Sequence, residues 1–333
     1  MPWISDDCHK KLAIVGICKN AGKTTLLNSI IKHFNCHWGV MSTGHDGEVS
    51  DLLFKTPKPR VVLSKGSLFC ADTSCMDAHG NAITILNKTP WLSGGKALWI
   101  ARAEQSLETE IGGPQNVTDQ IACAEQLLLL GADKALIDGS LDRKSIALSD
   151  ALDAIILSVG ASFGDLEAIL TEIERLFKLC ELSTFMASTK RAKQLLLESK
   201  EIMLKRNTRW VSTGLSSLIG HEKQLLAILD NEPQPSHIYI PGAYTSSLHK
   251  RLGKALRAIQ IIFRHPESIK LSLAELEAFT ESHQAQCLIP FKIQAIAINS
   301  QGFGSPAIDA DAFRGKLRSK FPTLELIDIM ETD

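Results

Sequence analysis

One segment constrains the fold more than any other: "KLAIVGICKNAGKTTLLNSIIKHF", residues 11–34. It opens with an apolar, β-branched run, passes through glycine and a polar turn, and continues with apolar residues at helical spacing. A strand feeding a helix through a tight glycine turn presents a row of backbone N–H groups at the helix start. With the positive end of the helix dipole, such a row holds an anion. Gly22 lets the backbone approach a ligand closely, Lys23 can reach β- and γ-phosphates, and the Thr24 hydroxyl can ligate Mg²⁺. Asn20, Ala21, Gly22, Lys23, Thr24 and Thr25 are therefore the expected contacts to a nucleotide's phosphates.

The usual phosphate-loop pattern, G-x-x-x-x-G-K-S/T, would put its first glycine at position 17. This chain has Ile17 there and Gly16 one place early, so either the loop starts wider or the first-glycine role is dispensable. Lys19, four residues before Lys23, invites comparison with the extra lysine of deviant loops in dimeric ATPases. Its spacing is one residue longer, and a solvent-exposed Lys19 is expected.

A Mg²⁺-nucleotide site needs carboxylates beyond the loop, because Mg²⁺ takes oxygen ligands and keeps several waters. Asp138 stands at the end of the apolar strand "KALIDGS" (134–140), where it can hold the metal directly or through water; an Asp-Gly turn is the alternative. "STGHDGEVSD" (42–51) follows another strand and carries Asp46, Glu48 and Asp51. Loops at the carboxyl ends of parallel strands gather around a ligand. Asp46 would complete the metal shell or position water and Glu48 would act as general base, with a solvated turn as the competing reading. Arg143 and Lys144, in "GSLDRKS", either neutralise a transferring phosphoryl group or face solvent. "ILSVGAS" (156–162) ends a strand in small residues suited to a backbone close to base or ribose. No N-K-x-D sequence is present for guanine, which favours ATP and leaves GTP open. His33, Cys36 and His37, and the pair in "CADTSC" (70–75), lack the second half of a zinc site.

Around this core, β-branched runs alternate with helical stretches over 333 residues, which points to an α/β fold with a mostly parallel sheet flanked by helices. "NKTPWLSG" reads as the turn-rich middle of a hairpin between 82–86 and 95–103, and residues 190–206 as one charged helix. "NEPQPS" (231–236) is the best linker. It divides a nucleotide-binding domain, 1–230, from a smaller C-terminal α/β region, 237–333, unless the last part extends the same sheet. The net charge of −1 argues against nucleic acid or anionic lipid as partner. The eight cysteines are scattered without a CxxC pair, and "MPWISDDCHKK" lacks an apolar signal region, so a cytoplasmic protein with reduced thiols is expected. No run approaches ~18 apolar residues, so no membrane span is expected. A homodimer is compatible with all of this.

Three stretches, "VGICKNAGKTT", "MSTGHDGEVSDLLFKTPKPRVVLSKGSLFCAD" and "ALIDGSLDRKS" with the following "LSDALDAIILSVGA", together resemble a bacterial family, the lysine 5,6-aminomutase reactivase subunits of KamB type. The resemblance covers about the first half of the chain, with "GGPQN" (112–116) as a looser shared element. It implies a SIMIBI-like P-loop NTPase core. It also implies a nucleotide-binding partner of a MutS-like ATPase that restores an adenosylcobalamin-dependent aminomutase. It supports nucleotide contact by Lys23 and Thr24, and groups Asp46, Glu48, Asp51, Asp138, Asp142 and Arg143 without assigning a catalytic one. An ATP-dependent small-molecule kinase or ligase, and a GTPase-type metallochaperone, are the competing expectations.

Overall fold

The computed structural model describes residues 4, 6, 8–43, 60–140, 149–231, 233–300 and 308–328. The chain divides into two compact units, Met1–Ile169 with Lys292–Asp333, and Leu170–Phe291.

The first unit begins with β1 (Lys11–Gly16), α1 (Lys23–His33), β2 (Trp38–Ser42), β3 (Val61–Leu63), β4 (Leu68–Asp72) and α2 (Thr73–His79). It continues through β5 (Ile83–Ser93), β6 (Lys96–Ala103), β7 (Leu107–Thr109), α3 (Val117–Leu129), β8 (Lys134–Ser140) and β9 (Ala154–Gly160). Helix α4 (Leu166–Cys180) then runs into the second unit. That unit holds α5 (Lys190–Glu198), β10 (Met203–Arg206), β11 (Arg209–Ser212), α6 (Glu222–Leu229), β12 (His237–Ile240) and β13 (Tyr244–Thr245). It ends with α7 (Ser246–Leu256), β14 (Gln260–Phe263), β15 (Ile269–Lys270), α8 (Leu273–Ser282) and β16 (Ala285–Cys287). Strand β17 (Ile293–Asn299), α9 (Ala310–Lys320) and β18 (Glu325–Asp328) return to the first unit.

Among the described residues, the first unit builds a nine-stranded sheet in the order β18-β17-β9-β1-β8-β2-β4-β6-β5. Pairing is parallel from β18 to β4 and antiparallel across β4, β6 and β5. Central parallel strands are covered on both faces, so they need continuous apolar runs, not alternation. "LAIVG" of β1, "WGVMS" of β2 and "AIILSVG" of β9 meet that requirement and are buried throughout. The chain doubles back between β5 and β6 at Gly94 and Gly95 (φ 55° and 81°), a two-residue turn that needs left-handed backbone at both positions. Helix α1 lays Leu26, Leu27, Ile30 and Ile31 in one core cluster with Leu12, Ile14, Val40, Leu136, Ile156, Ala295 and Ala297. Each such buried aliphatic side chain stabilises by roughly 1.5–3 kcal/mol, so packing, not propensity, fixes this helix.

Among the described residues, the second unit carries a mixed five-stranded sheet, β11-β10-β12-β14-β16, in which β12, β14 and β16 run parallel. A short parallel pair, β13 and β15, lies beside it in sequence. Tyr244, Phe263 and Phe279 are fully buried in mutual ring contact. Arg175 is ion-paired to Glu172 at 2.8 Å and to Glu267 at 3.1 Å.

Several elements differ from the sequence reading. The two compact units do not divide at 231–236: that segment joins α6 to β12 inside the second unit, while β17 and β18 extend the first sheet. The β17 and β9 pairing links residues over 130 positions apart in sequence (Asn299 with Gly160), which local composition does not reveal. "NKTPWLS" is not a turn but the continuation of β5 to Ser93. Pro90 is accommodated because β5 is an edge strand whose register shifts between Lys88 and Leu92. The charged helix expected over 190–206 stops at Glu198, where Ser199 turns extended (ψ 130°), and Met203–Arg206 is a strand. Strand β4 has no counterpart among the strands expected from the sequence. No helix among the described residues is long and apolar enough to cross a membrane.

Candidate functional site

The turn between β1 and α1 spans Ile17 to Gly22. Two of its residues are left-handed, Asn20 (φ 59°) and Gly22 (φ 94°). Asparagine tolerates that region and glycine enters it without strain. Gly22 is the N-cap and supplies no side-chain cap, and the first turn of α1 carries no acidic residue. The helix start thus keeps its positive end and its N–H groups for something other than its own side chains. The first helical bond runs from the Leu26 N–H to the Gly22 carbonyl, 3.0 Å.

Strand β9 holds this loop in place. The Ile17 N–H donates to the Ser158 carbonyl at 3.0 Å, and the fully buried Ser158 hydroxyl donates to the Ala21 carbonyl at 2.8 Å. A Cβ on Gly160 would lie 2.9 Å from the Ala21 Cα. The small residues of "ILSVGAS" are thus explained by the loop's own backbone. Gly16 is also sterically constrained, since a Cβ there would lie 3.1 Å from the Cys18 carbonyl oxygen and 3.2 Å from the Lys23 Cδ. Lys23 therefore arches back over the loop, and the early glycine makes room for it. Burial raises the Cys18 thiol above its ordinary value, with the Lys23 cation acting in the opposite direction. Lys23 and Thr24 are half-buried, while Lys19, Asn20 and Thr25 are exposed and Ala21 is buried.

Strand alternation assembles the rest. Residues two apart share a face, and the α1 face carries Leu12 and Ile14 of β1, Leu136 of β8, Val40 of β2, Ile156 of β9 and Ala297 of β17. One step of two further, each of these apolar stripes ends in a small or polar residue. These are Gly16, Asp138, Ser42, Ser158 and Asn299. Asp138 is level with Ile14 on one side and Ser42 on the other, and is 8% exposed. Its carbonyl accepts the Thr43 N–H at 3.0 Å. The carboxyl edge of the sheet, on the face that α1 covers, is thus a polar row below the open end of a helix. Asp138 was legible from its strand; Ser42, Ser158 and Asn299 were not, because their common face depends on register between distant strands.

The "GGPQN" stretch has a structural role at this edge. Strands β2 and β4 pair at Gly39–Leu68 and Val40–Phe69. Beyond that, Gly112 bridges them: the Ser42 N–H donates to its carbonyl at 3.1 Å, and its own N–H donates to the Cys70 carbonyl at 2.8 Å. A Cβ on Gly113 would fall 1.9 Å from the Ser42 carbonyl oxygen, so glycine is obligatory there. Asn116 then caps α3 by accepting the Asp119 N–H at 2.9 Å.

Asp46, Glu48 and Asp51, like Asp142, Arg143 and Lys144, lie outside the described residues. No group of three or more metal-ligating side chains is present among the described residues. His33 instead meets its own helix at the Ser29 carbonyl, 2.8 Å, and Cys75 meets the Thr109 hydroxyl at 3.0 Å. No protein-family model matches the chain, and no curated protein matches it.

Proposed function

We propose that this chain is a P-loop nucleoside triphosphatase of SIMIBI-like type that binds Mg-ATP between the β1–α1 turn and the end of β8. The carrying observation is the uncapped start of α1, standing over a polar row that contains Asp138 on the strand directly beside β1. Backbone N–H groups and Lys23 hold the β- and γ-phosphates, and Gly16 and Gly160 let the loop backbone and the Lys23 stem pack closely against the ends of β1 and β9. The Thr24 hydroxyl and the Asp138 carboxylate are the hard oxygen ligands that suit Mg²⁺, which otherwise keeps waters and phosphate oxygens. When bound, Mg²⁺ neutralises charge on the phosphates. Asp46 and Glu48 follow β2 in sequence and are assigned to water positioning and proton acceptance.

Hydrolysis would change the conformation of a partner, as γ-phosphate-dependent segments do in other switches. The partner assigned by sequence resemblance is an adenosylcobalamin-dependent lysine 5,6-aminomutase, acting with a MutS-like ATPase in the cytoplasm. The test is exchange of damaged cobalamin on inactivated aminomutase, with this protein and with ATP, GTP or no nucleotide. Nucleotide-dependent recovery is expected. Failure to recover activity, with Mg-ATP binding intact, would reject the reactivase role and keep the nucleotide site.

A further inference from the structure

Two serines stand in the polar row at the carboxyl edge of the first sheet, and only one of them is spent on the fold. The Ser158 hydroxyl is taken by the Ala21 carbonyl at 2.8 Å. Ser42, the last residue of β2, is 5% exposed, yet its hydroxyl has no hydrogen-bond partner among the described residues. Withdrawing a hydroxyl from water without giving it a partner destabilises the fold that holds it. Such a group marks a place where something outside the chain supplies the bond.

The backbone around Ser42 is fixed on three sides. Its N–H donates to the Gly112 carbonyl at 3.1 Å, and the following N–H, of Thr43, donates to the Asp138 carbonyl at 3.0 Å. Its own carbonyl oxygen lies so close to Gly113 that a Cβ there would come within 1.9 Å of it. Ser42 is therefore held rigidly, which suits a hydroxyl that must meet a ligand at one point.

Its position in the sheet indicates which part of a ligand it meets. Ser42 pairs in register with Asp138, and Asp138 with Ile14. Val40, two residues earlier, shares a core cluster with Leu26, Leu27 and Ile30 of α1, so Ser42 falls on the α1 face by alternation. Strand β2 is the second neighbour of β1, beyond β8. At about 4.8 Å per strand, Ser42 stands roughly 10 Å to the side of β1. A nucleotide with its β-phosphate at the start of α1 and its metal-bound end over β8 runs its γ-phosphate toward β2, whereas a diphosphate stops short. A serine hydroxyl donates to a phosphate oxygen without bringing a charge of its own.

We propose that the Ser42 hydroxyl donates to the γ-phosphate and makes the site selective for nucleoside triphosphates over diphosphates; this rests on the phosphate site proposed above. The experiment is calorimetric titration of the full chain with Mg-ADP and the non-hydrolysable β,γ-imido analogue of Mg-ATP, with the corresponding guanine pair alongside. Wild type should bind the triphosphate analogue more tightly than the diphosphate. Ser42→Ala should weaken the triphosphate analogue about tenfold to a hundredfold, the order expected of one hydrogen bond to a charged group, and leave diphosphate affinity unchanged. Without nucleotide, the variant should melt no lower than wild type, because it loses no bond within the fold. An unchanged triphosphate-to-diphosphate ratio, whether both affinities fall or neither does, would overturn the assignment. A wild type that binds diphosphate and triphosphate equally would reject the γ-phosphate contact and keep the phosphate site. If wild type binds none of the four nucleotides, the phosphate site itself is wrong and this inference falls with it.

Discussion

Replacing Gly160 by alanine places a methyl carbon 2.9 Å from the Ala21 Cα and 3.3 Å from its carbonyl carbon and oxygen. Carbon atoms at rest sit about 3.5–4.0 Å apart, so the methyl intrudes by roughly half an ångström or more. Ala21 cannot yield alone, because its carbonyl is held by the Ser158 hydroxyl at 2.8 Å and its side chain is fully buried. The loop as a whole must shift. Overpacking of this kind costs about 1–3 kcal/mol, which for a unit of this size lowers the melting temperature by roughly 2–12 °C. Mg-ATP affinity should fall as well, since the displaced backbone carries the N–H groups. Gly315→Ala provides the control: it lies inside α9 with open space around the new carbon, and should be neutral or stabilise by about 0.5–1 kcal/mol. Thermal melts with and without Mg-ATP, followed by calorimetry on the same samples, measure both effects. Gly160→Ala melting and binding like wild type would refute the idea that β9 shapes the loop; a lower melt with unchanged affinity would refute only the link to binding.

Further outcomes follow from the same contacts. Lys23→Ala should keep the wild-type circular dichroism spectrum and lose the thermal shift produced by Mg-ATP, because only a ligand bound to the folded state raises apparent stability. Ser158→Ala removes the hydrogen bond to the Ala21 carbonyl and should cost about 1 kcal/mol, read from the urea midpoint at constant slope. Thiol titration of the native chain should modify the exposed Cys8 first. The buried Cys70, Cys123 and Cys287 should react only on unfolding, burial having pushed the Cys287 thiol up to about 12. In the second unit, burial and then the neighbouring His283 and Arg257 hold His249 below its ordinary value, with Glu275 opposing. The unfolded chain therefore takes up that proton first, near pH 6.5, and stability falls as pH drops from there through the lowered folded value. His249→Gln should flatten the difference between urea midpoints at pH 7.5 and 5.5; an unchanged difference would show that His249 is not its source.

By itself, the sequence determined the parts whose cause is local. "LAIVG" must be a buried strand because it has no polar face, "KTTLLNSIIKH" must be a helix because its apolar residues recur at that spacing, and Gly22 between them must turn. The parallel sheet follows from the repetition of that unit, and Asp138 is exposed to view by the apolar run it ends. Tertiary structure decided whatever depends on which strands lie side by side. Thr24 and Lys23 can be read from a motif, but Ser158 and Asn299 join them only because β9 pairs with β1 and β17 pairs with β9. The same pairing placed β17 and β18 in the first unit and left the proline-rich 231–236 segment inside the second. A hydrophobic pattern specifies which face of a strand is buried; the neighbour against which it is buried is chosen by the energy of the whole packed core, to which residues more than a hundred positions apart contribute at once.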